Sequence, residues 1–158
     1  MKEKILEAFS NLGFKLEEAE GMGYSFSYEG LNLLYMYNEN DEEFFTIALP
    51  CIMGVEEDKI LRICVLQEKI NSSLKYIKAY LLGDSVWLFY ERQLMGEEDL
   101  ETVIPRMILH LEAGLEFARK AMAELEEPME GGSADDEPEE AEEVVDEESR
   151  DNDNDNNE

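Results

Sequence analysis

The segment Tyr76–Gln93 constrains the fold more than any other part of the sequence, because it predicts a complete β-hairpin. Gly83 and Asp84 lie between two strand-like runs, and a two-residue loop led by glycine is a typical hairpin turn. This turn pairs Leu82 with Ser85, and paired residues share a face of the sheet. One predicted face is almost purely apolar: Ile77, Ala79, Leu81, Val86, Leu88 and Tyr90. The other is aromatic and interrupted by charges: Tyr76, Lys78, Tyr80, Leu82, Trp87, Phe89 and Glu91.

The aromatic face of this hairpin is typical of a surface that binds another polypeptide. We predict that the protein-contacting patch consists of Tyr76, Tyr80, Trp87 and Phe89. The pattern does not identify the partner, but it favours a protein-binding module over an enzyme.

Hydrophobic periodicity predicts the remaining elements. Residues 4–12 form an amphipathic helix, residues 24–37 a second hairpin, and residues 44–49 a third strand. Pro50 either ends this strand or lies at an edge of the sheet. Residues 55–73 and about 102–125 form two further helices. The expected fold class is therefore α+β, an antiparallel sheet of about five strands with helices packed on it, in the order α-β-β-β-α-β-β-α.

The turn of the second hairpin, which consists of Glu29 and Gly30, allows two geometries. Glutamate is a poor residue for the positive φ that a two-residue turn requires, so a β-bulge is the alternative. The alternation of apolar residues favours the simple register.

The second predicted helix, residues 55–73, carries apolar residues around most of its circumference. A helix with one solvent-exposed side does not need so many. We predict that it packs on the sheet and also contacts a second subunit, through Ile60, Ile63 and Leu66. The alternative is a central helix within a monomer.

The charge of the chain is unevenly distributed. Residues 127–158 contain 16 acidic residues and one basic residue, Arg150, so the net charge of this segment is −15. Residues 1–126 contain 24 acidic and 12 basic residues, so their net charge is −12. The composition predicts two regions, an α+β domain over residues 1–126 and a disordered acidic tail over residues 127–158. Both are acidic, which disfavours nucleic acids and anionic membranes as partners and favours a basic partner or a partner that must be kept soluble.

The sequence lacks the features of a secreted, membrane-spanning or catalytic protein. No secretory hydrophobic region follows the first residue and no apolar run approaches 20 residues, so we expect a cytoplasmic protein. Cys51 and Cys64 match no metal or disulfide pattern, and His110 is the single histidine. No phosphate-binding loop, nucleophile elbow or zinc spacing is present. We therefore predict no catalytic, metal-binding or cofactor-binding residues.

The order of elements resembles the type III secretion chaperone-like superfamily, and within it the YbjN-type proteins. The resemblance is most specific from Glu56 to Phe117, with a hydrophobic helix ending in Ile70-Asn71, the hairpin LKYIKAYLLGDSVWLFYERQL and the helical motif ILHLEAGLEF. It covers residues 1–125 in element order.

This resemblance implies an α+β domain that often forms homodimers. Secretion chaperones hold an extended segment of a client protein, and some YbjN-type proteins regulate sensory or stress responses. We therefore expect a non-catalytic, chaperone-like homodimer that binds a polypeptide. The alternative is a regulatory protein that acts on a basic partner through its acidic tail.

Overall fold

Six antiparallel strands form one sheet, and three helices cover one of its faces. The computed structural model describes residues 1–126. The helices are α1 (Lys2–Asn11), α2 (Ile60–Ser73) and α3 (Leu100–Glu126), and a 3₁₀ turn at Glu57–Lys59 precedes α2. The strands are β1 (Glu17–Ala19), β2 (Gly23–Tyr28), β3 (Leu31–Met36), β4 (Phe44–Gly54), β5 (Ile77–Leu82) and β6 (Ser85–Gln93). Their order in the sheet is β1-β2-β3-β4-β6-β5. The α+β class is confirmed; the predicted tail falls outside the described residues.

Both predicted hairpins form with the expected registers. In the β5–β6 hairpin Leu82 pairs with Ser85, and in the β2–β3 hairpin Tyr28 pairs with Leu31. Glu29 and Gly30 both have positive φ, 45° and 82°, as a two-residue turn requires. The simple register is therefore correct, and the bulge is not needed.

The strand β1 lies outside the predicted strands. It begins at Glu17, which pairs with Ser25. Phe14 packs in the connection between α1 and β1, with its ring centroid 5.3 Å from that of Phe26. This strand is polar and only three residues long, so its sequence carries no strand pattern.

The third predicted strand, β4, continues past Pro50 to Gly54. Leu49 pairs with Leu88 and Met53 with Val86, so the register shifts between these pairs. Proline, which has no N–H for the ladder, lies within this irregular segment, where it is tolerated.

The core lies between the helices and the covered face of the sheet. Phe9 of α1 is fully buried at its centre, with ring centroids 4.9 Å from Phe26, 5.8 Å from Tyr35 and 6.3 Å from Phe45. Burial raises the pKa of the Tyr35 hydroxyl well above its usual value, so this side chain stays neutral. Residues of α3 such as Ile104 and Leu111 complete the core. No helix within residues 1–126 is both long and apolar enough to cross a membrane.

Candidate functional site

The sheet face opposite the helices forms a second, smaller apolar cluster, to which only strand residues contribute. Leu34, Ala48 and Phe89 are its buried members. Ala19, Met36 and Trp87 pack against them and remain partly exposed. Because the helices lie on the other side of the sheet, this surface, which we call the open face, is in contact with solvent over residues 1–126.

An aromatic group lies on the β5–β6 half of the open face. The ring of Trp87 stacks on Phe89 at 6.1 Å, and Tyr80 lies 5.4 Å from Phe89 on the other side. Trp87 Nε1 donates a hydrogen bond to Ser85 Oγ at 3.2 Å, which orients the indole. Phe89 is only 6% exposed because these neighbours cover it. Tyr80 and Trp87 therefore offer most of the accessible aromatic surface.

The structure places Tyr76 away from this group, which corrects one part of the predicted patch. Tyr76 stacks on Tyr90, a residue of the covered face, at 5.4 Å, and its ring lies 6.1 Å from His110 of α3. Face alternation does not apply to Tyr76, because it precedes the first residue of β5 and has φ 68°. The residues brought together on the open face are Tyr80, Trp87 and Phe89.

A groove of about 720 Å³ adjoins the aromatic group on the β3–β4 half of the open face. Its apolar lining comes from Met22, Met36, Phe44 and Phe89, and Phe44 and Met22 are exposed. Its remaining lining is mostly polar or acidic: Gly21, Tyr37, Asn38, Glu39, Asn40, Asp41, Thr46 and Glu91. The sequence did not predict this groove, because the loop before β2, the β3–β4 loop and β6 are far apart along the chain.

The charged groups of the groove are all carboxylates. Glu91 forms an ion pair with Lys78 at 2.6 Å across β5 and β6, and this contact raises the pKa of Lys78. Beside the groove, the hydroxyl of Tyr37 donates to Glu42 at 2.8 Å, which raises the pKa of Tyr37. Glu39 and Asp41 form no ion pair within the described residues.

The side chain of Asn71 in α2 occupies the free edge of β5 at Ala79. Its Oδ1 accepts from the backbone N–H of Ala79 at 2.7 Å, and its Nδ2 donates to the Ala79 carbonyl at 3.3 Å. Gln67 donates to the same carbonyl at 3.4 Å. Asn71 thus takes the place that a neighbouring strand would occupy, which protects this edge from pairing with another chain.

The structure also corrects the predicted dimer contact on α2. Ile63 and Leu66 are 1% and 0% exposed because they point into the core of their own chain, together with Ile70. Of the three predicted residues only Ile60 is exposed, at 46%. The exposed apolar surface of α2 also includes Leu61 and Val65, at 78% and 51%. Apolar residues on all sides of α2 made its inward direction impossible to assign from sequence.

The reactive side chains of the described chain are dispersed. Nδ1 of His110 lies 2.6 Å from the carbonyl oxygen of Arg106, one turn earlier in the same helix, so the ring nitrogen donates there. Cys51 and Cys64 are both free and exposed, and the Sγ of Cys51 accepts from Ser85 at 3.4 Å. No group of three or more potential metal ligands is found within residues 1–126.

These features define an α+β domain whose sheet is covered by helices on one face and carries an aromatic surface on the other. The crystal structure of YbjN from E. coli, a protein proposed to be a transcription regulator, has a similar fold, with a TM-score of 0.57 and 13% sequence identity. The match covers 79% of this chain and 93% of YbjN. No protein-family model and no curated protein sequence matches the chain. The similarity confirms the YbjN-like fold predicted from the hairpin and helix patterns.

Proposed function

We propose that this protein is a non-catalytic protein-binding module that holds a polypeptide segment on the open face. The single observation that carries the proposal is the one-sided arrangement of the fold. Every described helix packs on the covered face, while Tyr80, Trp87 and Met36 keep accessible apolar surface on the other. Aromatic residues and methionine are enriched where proteins contact one another.

The edges of the sheet favour binding across the open face over strand addition. Asn71 and Gln67 already satisfy the backbone of Ala79 at the β5 edge. The opposite edge, β1, has only three residues and offers few backbone groups to a partner strand. A polypeptide partner therefore makes its main contacts with side chains of the open face.

The open-face proposal is tested by peptide selection with the full chain and two matched tyrosine variants. Peptides are selected from a random library displayed on phage, and binding of the selected peptides is then measured for the wild type and for the variants. Tyr80→Ala removes a ring from the open face, whereas Tyr76→Ala removes a ring of similar exposure outside it. We expect Tyr80→Ala to weaken peptide binding about tenfold or more, as for a central aromatic contact.

Tyr76→Ala is the control for Tyr80→Ala. If the open face is the binding surface, Tyr76→Ala binds the selected peptides with the affinity of the wild type. Equal losses for both variants, or loss only with Tyr76→Ala, would contradict the proposal.

We further propose that the protein forms a homodimer through the exposed apolar side of α2, which contains Ile60, Leu61 and Val65. A stable interface buries roughly 1,200–2,000 Å² in total, so adjoining surface must contribute beyond these three side chains. Light scattering at micromolar concentration tests this. We expect a dimer for the wild type and a monomer for Leu61→Glu with Val65→Glu, and a monomeric wild type would contradict the proposal.

The alternative is a regulatory protein that acts on a basic partner through its acidic tail. The charge of −15 in residues 127–158 favours it, and so does the proposed regulatory role of YbjN. A chain ending at residue 126 separates the two functions: a module that binds through the open face keeps its partner, whereas a tail-dependent regulator loses it.

A further inference from the structure

We propose that the groove on the open face binds a basic polypeptide segment, with an apolar side chain on the groove floor and flanking Lys or Arg side chains beside Glu39 and Asp41. This inference rests on the proposed function and specifies the chemistry of the partner. It concerns the β3–β4 half of the open face, which is distinct from the aromatic group of Tyr80 and Trp87.

The shape of the groove fits one or two side chains of an extended peptide. Its volume of about 720 Å³ lies within the range of about 300–1,000 Å³ that is typical of binding sites. Met22, Met36 and Phe44 supply the apolar lining. Methionine is unbranched and polarisable, so two methionines in one groove accommodate apolar side chains of different shapes.

The carboxylates at the groove favour a positively charged partner. Among residues 1–126 no lysine or arginine lines the groove, whereas Glu39, Asp41 and Glu91 do. Lys78 already neutralises Glu91, which leaves Glu39 and Asp41 as the carboxylates available to an incoming cation. The nearby Lys2 lies over the rings of Tyr24 and Tyr37, and its side-chain interaction with Tyr24, in which the ammonium group is the donor, is the main cause of its raised pKa.

The loop that carries these two carboxylates is held in place by its own hydrogen bonds. Asn38 Oδ1 accepts from the backbone N–H of Asn40 at 3.0 Å, and the Asn38 carbonyl accepts from Asp41 at 3.1 Å. The Asp41 carbonyl accepts from Phe44 at 3.1 Å, which connects the loop to the start of β4. A loop ordered before binding loses little conformational entropy when the partner arrives.

The charge of the chain argues against two other occupants. A second copy would bring a surface with a net charge of −12 over residues 1–126, and the segment 127–158 carries −15. Either would place further negative charge against Glu39 and Asp41. Like charges in contact oppose association, so a cationic partner from outside the chain is favoured at the groove. The proposed dimer contact on α2 differs, because its exposed residues Ile60, Leu61 and Val65 are apolar.

The test uses the full chain and three fluorescein-labelled peptides of about ten residues. One alternates Lys with Leu and Phe, the second alternates Glu with the same apolar residues, and the third alternates Lys with Ser. Fluorescence anisotropy measures binding at about 50 mM and about 300 mM NaCl. We expect the Lys–apolar peptide to bind most tightly, with an affinity that falls as salt rises, because both the apolar and the charged contacts contribute.

Variants of groove residues test whether the peptide binds in the groove. Glu39→Gln with Asp41→Asn should weaken binding of the Lys–apolar peptide about three- to tenfold at low salt. The matched control, Glu68→Gln with Glu116→Gln, removes the same charge from exposed positions on α2 and α3 and should leave the affinity within about twofold. Phe44→Ser should weaken the same peptide about fivefold or more, and Phe44 is exposed enough for the fold to tolerate the change.

The outcomes separate this inference from the proposed function. If Tyr80→Ala weakens peptide binding but the groove variants match their control, the open face binds a polypeptide and the groove inference is wrong. Equal binding of the Glu–apolar peptide would overturn the inference as well. If none of the three peptides binds the wild type and the library selection also yields none, both proposals fail.

Discussion

The two faces of the sheet are built from alternating residues of the same strands, yet they have different surroundings. Along β6, Leu88 is fully buried beneath the helices, whereas its neighbours Trp87 and Phe89 lie on the open face. Both faces carry aromatic and aliphatic side chains, although charged residues such as Lys78 and Glu91 interrupt those of the open face. The larger difference is that the chain supplies three helices to one face and none of its described helices to the other. The proposed binding of a partner rests on this apolar sheet surface, which no described helix covers.

The largest expected difference between the faces is the stability cost of removing a side chain. Leu88→Ala should lower the free energy of unfolding by about 2–5 kcal/mol, because it leaves a cavity in a closed core. Trp87→Ala should lower it by about 1 kcal/mol, since the indole is partly exposed and solvent can fill the space. Urea denaturation of the two variants measures both values. A loss for Trp87→Ala as large as that for Leu88→Ala would show that the open face belongs to the core.

A smaller loss of stability is expected from a change at the edge of β5, where Asn71 bonds to the backbone of Ala79. Asn71→Ala should lower the free energy of unfolding by about 1–2 kcal/mol, because the backbone N–H of Ala79 loses its partner and the Ala79 carbonyl keeps only the bond from Gln67. Ser72→Ala is the control, as Ser72 donates only to the carbonyl of Lys69 within its own helix. Asn71→Ala should also form larger assemblies than the wild type in sedimentation velocity, through the exposed edge of β5. Equal stability of the two variants would show that Asn71 does not protect the edge.

The smallest effect concerns the loop that leads into α3 beside the covered face. The backbone N–H groups of Met95 and Gly96 donate to Glu98 at 2.7 and 2.9 Å, and the Met95 bond is the main cause of its lowered pKa. A lowered folded-state pKa contributes stability above the unfolded pKa, near 4.3, and this contribution is lost as pH falls through the folded value. Glu98→Gln should therefore flatten the decline in melting temperature below about pH 4.5. An unchanged acid profile would show that Glu98 contributes nothing there.

Much of this fold follows from sequence because two-residue turns determine register. Gly83-Asp84 sets the pairing of β5 with β6, and Glu29-Gly30 sets that of β2 with β3. The face of Tyr80, Trp87 and Phe89 then follows by alternation. The α+β class follows from adding the periodic helices to these strands.

The remaining features depend on tertiary packing. The inward side of α2 is set by the sheet and α3 beneath it, so the sequence could not separate buried Ile63 and Leu66 from exposed Leu61. Tyr76 precedes β5, where alternation no longer holds. The groove joins segments that are distant in sequence, among them Met22 and Phe89. Its only sequence signal is the acidic run NENDEE followed by an apolar strand, which is also typical of an ordinary surface loop.

Trp87 is the only tryptophan of the chain, so its fluorescence reports directly on the open face. The decisive measurement is acrylamide quenching of this tryptophan in the full chain, with and without a saturating polypeptide ligand whose binding is established by anisotropy. Binding to the open face at Tyr80 and Trp87 predicts that the bound ligand shields Trp87 and lowers the quenching constant. Saturated binding that leaves the quenching and the emission maximum unchanged would contradict the proposed function, because the ligand would then lie away from the aromatic group of Tyr80, Trp87 and Phe89.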